Sequence, residues 1–306
     1  MSKTKSIICC WLFTLLLPGF SSGASAGSIK TLIVTGQNNH NWKVSHVALK
    51  RILENSGLFT VDVAVSPPEG GDMSDFLPDF KSYRLIVLDY NGDEWPAETR
   101  RRFVGYAENG GGIVVYHAAC APFPQWNEYN QIIGLGGWNG RDEKSGPWIY
   151  LEHGKWMEDF SPGTAGSHGA QHEFVMNARD RKHPVVKGLP EKWKHAGDEL
   201  YDRLRGPGKI NVLYSAYSDK EKYGGSGREE PLLFTVKYGK ARIFHTALGH
   251  SWDGNTLENN TAMQCAGFQI TLLRGCEWAA TGKVKQAVPD DFPTAGKTSL
   301  RQDYKQ

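Results

Sequence analysis

Aliphatic runs and amphipathic stretches alternate through the first third of the chain. Residues 29–35 are dominated by β-branched and aliphatic side chains and predict a buried strand, which ends in Gly36-Gln37-Asn38-Asn39-His40-Asn41-Trp42. Val44, Val47, Ala48 and Ile52 then recur at helical spacing, and Gly57 marks the stop. Residues 59–65 and 84–89 read as two more strands. Pro96 opens a helix that runs to Asn109, at a first-turn position that tolerates proline. Gly110-Gly111-Gly112 leads into the strand-like Ile113-Val114-Val115-Tyr116, which delivers His117 at its end. This order of strands and helices predicts a parallel sheet covered on both faces, with right-handed crossovers.

A short helix is expected from Trp126 to Gly134, after which periodicity disappears. Residues 136–169 are rich in Gly, Trp, His and Ser, and Trp148, His153, Trp156 and His168 favour an ordered lid over the sheet edge. Strand patterns return at residues 172–177, 210–214, 231–238 and 240–247. The last two flank Gly239 and read as a hairpin. A turn-rich connection covers residues 179–190, and a final helix spans roughly residues 257–280 with Gly267 inside it. One domain over residues 27–282, with an elaborated second half and a polar tail at 283–306, accounts for the pattern.

The first residues stand apart. Lys3 and Lys5, the apolar run 7–20 and the small residues up to Ala26 follow the order of a secretory signal, and Pro18-Gly19 cuts the run too short for a membrane anchor. The expected mature protein is secreted, periplasmic and not membrane-bound. Removal of Cys9 and Cys10 leaves Cys120, Cys265 and Cys276, which lack metal-type spacing and allow at most one bridge. With 35 basic and 33 acidic residues the chain carries no electrostatic footprint for nucleic acid. Ten Trp, twelve Tyr and 35 Gly suit a site for flat-faced ligands such as sugars.

Candidate chemistry rests on where the histidines fall. His40 follows the first strand, His117 the fourth, and His245 and His250 flank the end of the last, so separate elements bring imidazoles to the edge where open α/β sheets bind ligands. Asp89 and Asn91 end the third strand nearby. On a strand, His172 and Glu173 would face opposite ways, leaving one of them for the site. Where a hydrolase would carry its nucleophile the chain has His117, and Cys120 follows without surrounding glycines, so covalent acyl chemistry is disfavoured. Gly36-Gln37-Asn38-Asn39 has one glycine and is no phosphate cradle, so no nucleotide cofactor is expected.

Residues 35–42, 111–117, 198–201 and 239–250 resemble, in this order, the motifs of the ThuA-like family linked to trehalose utilisation, over approximately residues 29–282. The resemblance implies an α/β, flavodoxin-like, doubly wound and mostly parallel sheet akin to class I glutamine amidotransferases without their cysteine. It also implies a role in sugar metabolism beside oxidoreductases that make 3-keto sugars. The reading that follows is an enzyme acting on a glycoside or 3-keto-glycoside by proton transfer, through isomerisation, elimination or hydrolysis. His117, Glu173, His40 and His250 are its catalytic candidates. Trp42 and Trp252 are the sugar platforms, and Asn91, Glu199 and Tyr201 are further substrate contacts. A divalent metal on His117, His245 and His250 could polarise the ketone. Two other readings stay open: a non-catalytic carbohydrate-binding protein of the same fold, and an amide or ester hydrolase using Cys120. Self-association is also open.

Overall fold

The structure, a computed structural model, describes residues 27–302. The expected export signal lies outside the described residues, and among these no helix is long and apolar enough to cross a membrane.

The chain runs β1 (Ile29–Thr35), α1 (Trp42–Asn55), β2 (Phe59–Val65), β3 (Leu85–Leu88), α2 (Ala97–Glu108), β4 (Gly112–Tyr116) and α3 (Asn127–Ile133). Then follow β5 (Trp148–Glu152), β6 (Lys155–Asp159), β7 (Ser167–His168), β8 (His172–Ala178), β9 (Lys192–Asp198), β10 (Tyr201–Asp202), β11 (Lys209–Ser218) and the short α4 (Lys220–Tyr223). The last elements are β12 (Arg228–Tyr238), β13 (Ala241–Thr246), α5 (Thr261–Gln264) and α6 (Ala266–Thr281).

The main sheet has the order β2-β1-β3-β4-β13-β12-β11-β8-β9. The first five strands pair in parallel, and every later pairing is antiparallel. β3 and β4 are buried along their whole length, as expected when helices cover both faces. α1 packs beside α6, and α2 beside α3. The chain passes from β1 outward to β2 and then crosses back over β1 to β3 on its other side, so the crevice beyond the carboxyl ends of β1 and β3 is the topological switch point.

The expected elements of the first half appear within a residue or two, whereas the second half differs in three places. β9 had no sequence signature: Lys192-Trp193-Lys194-His195-Ala196-Gly197-Asp198 contains no β-branched residue, and its pairing with β8 imposes the strand. The final helix is split at Cys265, whose extended backbone bridges to Leu300. Residues 136–169 hold a β5–β6 hairpin that branches from the main sheet at β12, where Leu151 faces Glu229, while β7 pairs with β10 apart from that sheet. The polar tail is tied down, with Ala266 N–H donating to the Ser299 carbonyl and Arg301 N–H to that of Gln264. Cys120, Cys265 and Cys276 are all buried and unbridged.

Gly267 explains itself in this packing. An added Cβ would sit 2.2 Å from Cζ3 of the fully buried Trp193, so α6 can lie against β9 only with glycine there. Gly267→Ala should therefore destabilise the protein by about 1–3 kcal/mol through overpacking, despite alanine's better helix propensity. Urea unfolding of the two proteins checks this; equal or higher stability of the variant would contradict the packing account.

Candidate functional site

Five loops reach the carboxyl edge of the parallel strands. After β1 the chain carries Asn38, Asn39 and His40; after β3, Asp89 and Asn91; after β4, His117; after β13, Gly249 and His250; and after β9, Glu199. His117 has a left-handed φ of +46°, which turns its side chain out at the strand tip. Its Nδ1 lies 2.8 Å from the Ala247 carbonyl and its Nε2 2.8 Å from the Tyr201 hydroxyl.

Glu199 is the centre of the group. Its Oε2 lies 3.8 Å from His40 Nε2, 3.7 Å from His117 Nε2 and 3.6 Å from His250 Nε2. Its Oε1 faces His168 Nε2 at 3.3 Å. The carboxylate is buried, whereas the His168 side chain is 34% exposed at the mouth. One donor atom from each of His40, His117, Glu199 and His250 falls within 4.8 Å of the others, which makes these four the residues able to hold a metal.

Asp198 fixes this arrangement from behind. Its carboxylate accepts from the backbone N–H groups of Glu199 (2.8 Å), Gly249 (2.7 Å) and His250 (3.1 Å), and pairs with His195 Nε2 at 2.7 Å. Burial would raise the Asp198 carboxyl, but His195 outweighs it and the group lies below the usual carboxylate range. Glu199 behaves alike: burial works to raise it, and the imidazoles of His117 and His40 pull it well below. Burial lowers His40, and it lowers His250 to about 3. Asp89, buried beside Ser45 and Asn38, is pushed up to about 7 by loss of solvent.

A cavity of about 350 Å³ opens above the cluster. Trp138 and Trp252 line it, with Asn39, Asn91 and Asn139, whose amides form a chain: Asn91 donates to Asn39 at 2.6 Å and Asn139 to Asn91 at 3.2 Å.

Of the expected site residues, His40, His117, His250, Glu199, Tyr201, Asn91 and Trp252 come together here. Three do not. Glu173 lies on β8, separated from the parallel strands by β11 and β12; its side chain is 52% exposed and pairs with Lys194. His245 sits inside β13 rather than beyond its tip, bonding the Ile133 carbonyl through Nδ1 and packing on Phe234, and burial lowers it to about 4. Trp42 starts α1 with its ring against His46, outside the cavity wall. Cys120 is fully buried, and burial pushes its thiol up to about 12, which removes it as a nucleophile. The sequence reading did not assign Asp198, Trp138, Asn139 or His168 to the site, although His168 and the glycine-rich stretch before Trp138 lay in the segment expected to form a lid.

A family model described as ThuA, trehalose utilisation, matches residues 30–279. The chain belongs to the ThuA family. It is similar to a ThuA-like protein from Parabacteroides merdae whose crystal structure is solved, with 65% identity and a TM-score of 0.89 over 92% of this chain and 100% of that one. A second ThuA-like protein, from Bacteroides uniformis, is 19% identical with a TM-score of 0.54 over 87% of this chain and 97% of the other, and shares the fold. No curated protein matches the chain. As a ThuA-family member the protein is linked to carbohydrate metabolism, and its α/β sheet is the flavodoxin-like, amidotransferase-like architecture expected of it.

The lowered imidazoles give the stability a sign. An unfolded histidine binds its proton near pH ~6.5, and His245 and His250 in the folded chain do so only near 4 and 3. Their contribution is present above pH ~6.5 and is lost as pH falls through the folded values. Asp89 and Glu230 oppose this, since carboxyls raised to about 7 and about 8 favour the folded state as pH falls toward their unfolded values, but these two are outweighed by the four lowered imidazoles of His40, His183, His245 and His250. Melting temperature should fall between pH 6.5 and 4.5. A flat or rising profile would contradict the burial account.

Proposed function

We propose that this ThuA-family protein is an enzyme that processes a carbohydrate, acting on a glycoside oxidised to its 3-keto form. The observation that carries this reading is the pairing of an amide-and-indole cavity with a His/Glu cluster at its floor. Asn39, Asn91 and Asn139 offer donors and acceptors at fixed spacing for sugar hydroxyls, and Trp138 and Trp252 offer faces for the ring. The family's link to trehalose utilisation supports a sugar as the occupant. The apolar run at residues 7–20 supports an exported protein.

The chemistry is proton transfer beside a carbonyl. A 3-keto group acidifies the C2 hydrogen. A base removes that proton, the electron pair forms the C1–C2 double bond, and the C1–O glycosidic bond breaks as its oxygen takes a proton. His168 is the imidazole placed for this exchange: it faces the cavity, contacts Glu199, and its own exposure lets it trade protons with solvent. Tyr201, held between His117 and Trp138 and paired across β10 and β7 with His168, is the neighbouring hydroxyl that donates.

Turnover of 3-keto-glucosides, set against the parent glucosides, tests the reading. Release of the aglycone from the keto sugar alone is expected, with hydrogen at C2 exchanging for deuterium in heavy water. His168→Ala should slow it about 10²-fold or more. Binding of the keto sugar without release or exchange would instead make the protein a carbohydrate-binding module.

A further inference from the structure

We propose that Nε2 of His40, His117 and His250 and the Glu199 carboxylate form a four-donor site for one divalent transition-metal ion such as zinc. This goes beyond the carbohydrate reading, and its test reads metal rather than turnover.

Spacing is the first argument. Four donors placed tetrahedrally at about 2.1 Å from a zinc ion stand about 3.4 Å from one another. The three imidazole nitrogens surround Glu199 Oε2 at 3.8, 3.7 and 3.6 Å. Those separations are too long for hydrogen bonds and only slightly wider than shared coordination requires. A cluster built to bond itself would close to about 2.9 Å.

Ring orientation is the second. His40 Nδ1 faces the side-chain oxygens of Asn38 (3.2 Å) and Asn39 (3.0 Å), and His117 Nδ1 faces the Ala247 carbonyl at 2.8 Å. An acceptor at Nδ1 puts the proton there and leaves the Nε2 lone pair pointing inward, as in histidines that ligate metals. Gln171 Nε2 lies 3.0 Å from His250 Nδ1, and His250 takes the same tautomer once that side-chain amide is rotated to present its oxygen.

Charge is the third. Glu199 is buried, and among the described residues its ion-pair partners are imidazoles alone, with no lysine or arginine. A bound cation supplies the missing positive charge. Three nitrogens and one carboxylate suit zinc, cobalt, iron(II) or manganese(II), and argue against calcium or magnesium, which prefer oxygen. The Tyr201 hydroxyl is the group at His117 Nε2 that loading would displace, toward the cavity.

The full chain, stripped with a chelator and titrated with zinc and then with cobalt, tests the proposal by calorimetry and visible absorption. One equivalent should bind, with cobalt giving the intense visible bands of a low-coordinate, nitrogen-rich site. Glu199→Gln and His250→Ala should each weaken zinc binding at least 10-fold, while His172→Ala, at a half-buried ring stacked on Tyr223 outside the cluster, should not. Absence of one-to-one binding, or wild-type affinity in both cluster variants, overturns the proposal. Should those variants fail to fold, the cobalt spectrum of the unmutated protein decides: a pale spectrum like that of the hydrated ion overturns it.

Discussion

The Asp198 carboxylate is the interaction on which the site depends. It is fully buried, it ends a strand in the antiparallel half of the sheet, and it accepts hydrogen bonds from the loop that leaves the last parallel strand. Burying a carboxylate is costly unless it is paired and its lone pairs are used. Here His195 supplies the pair and three backbone amides supply the bonds, so the cost is met by groups that must be in place for other reasons. Asp198 thereby ties the positions of Glu199 and His250 to each other, although one follows an antiparallel strand and the other the last parallel strand. A neutral group of the same shape could keep some of these bonds, but not the ionic pairing with His195.

The parallel half was legible because each of its elements announces itself. Strand-forming stretches of four to seven residues, helical spacing between them and glycine or proline at the junctions leave little choice of fold, and the polar residues that follow each stretch fall at the edge where such sheets bind ligands. His40, His117 and His250 could be read this way, since each lies beyond the end of a strand. His245 could not be separated from them by counting alone. It is one residue inside its strand, and that single step turns its ring into the sheet instead of off the tip.

The walls of the cavity were harder to see. Trp138 and Asn139 adopt left-handed backbone conformations within a stretch that has no periodicity, so nothing local says which way their side chains point. β9 has Trp193 as its one strand-favouring residue and exists because β8 offers it a partner. Glu173 shows the reverse: a strand was expected and found, but its place in the strand order, which only the assembled sheet reveals, puts it far from the parallel strand tips. The ThuA family assignment leaves these particulars to the structure, because membership fixes the architecture and the link to sugars rather than the groups that line a given cavity.

The four side chains at the centre come from positions 40, 117, 199 and 250 of a 306-residue chain. No two are neighbours in sequence, and the closest pair, Glu199 and His250, is separated by half of the antiparallel strands. During synthesis, His40 and His117 leave the ribosome long before the residues that complete their surroundings, and the Asp198 bonds to residues 249 and 250 can close only after those residues have been made. The site thus comes into being late and all at once. A nascent or clipped chain that stops short of residue 249 lacks two of the three backbone amides that hold the Asp198 carboxylate, and with them the fixed placement of Glu199.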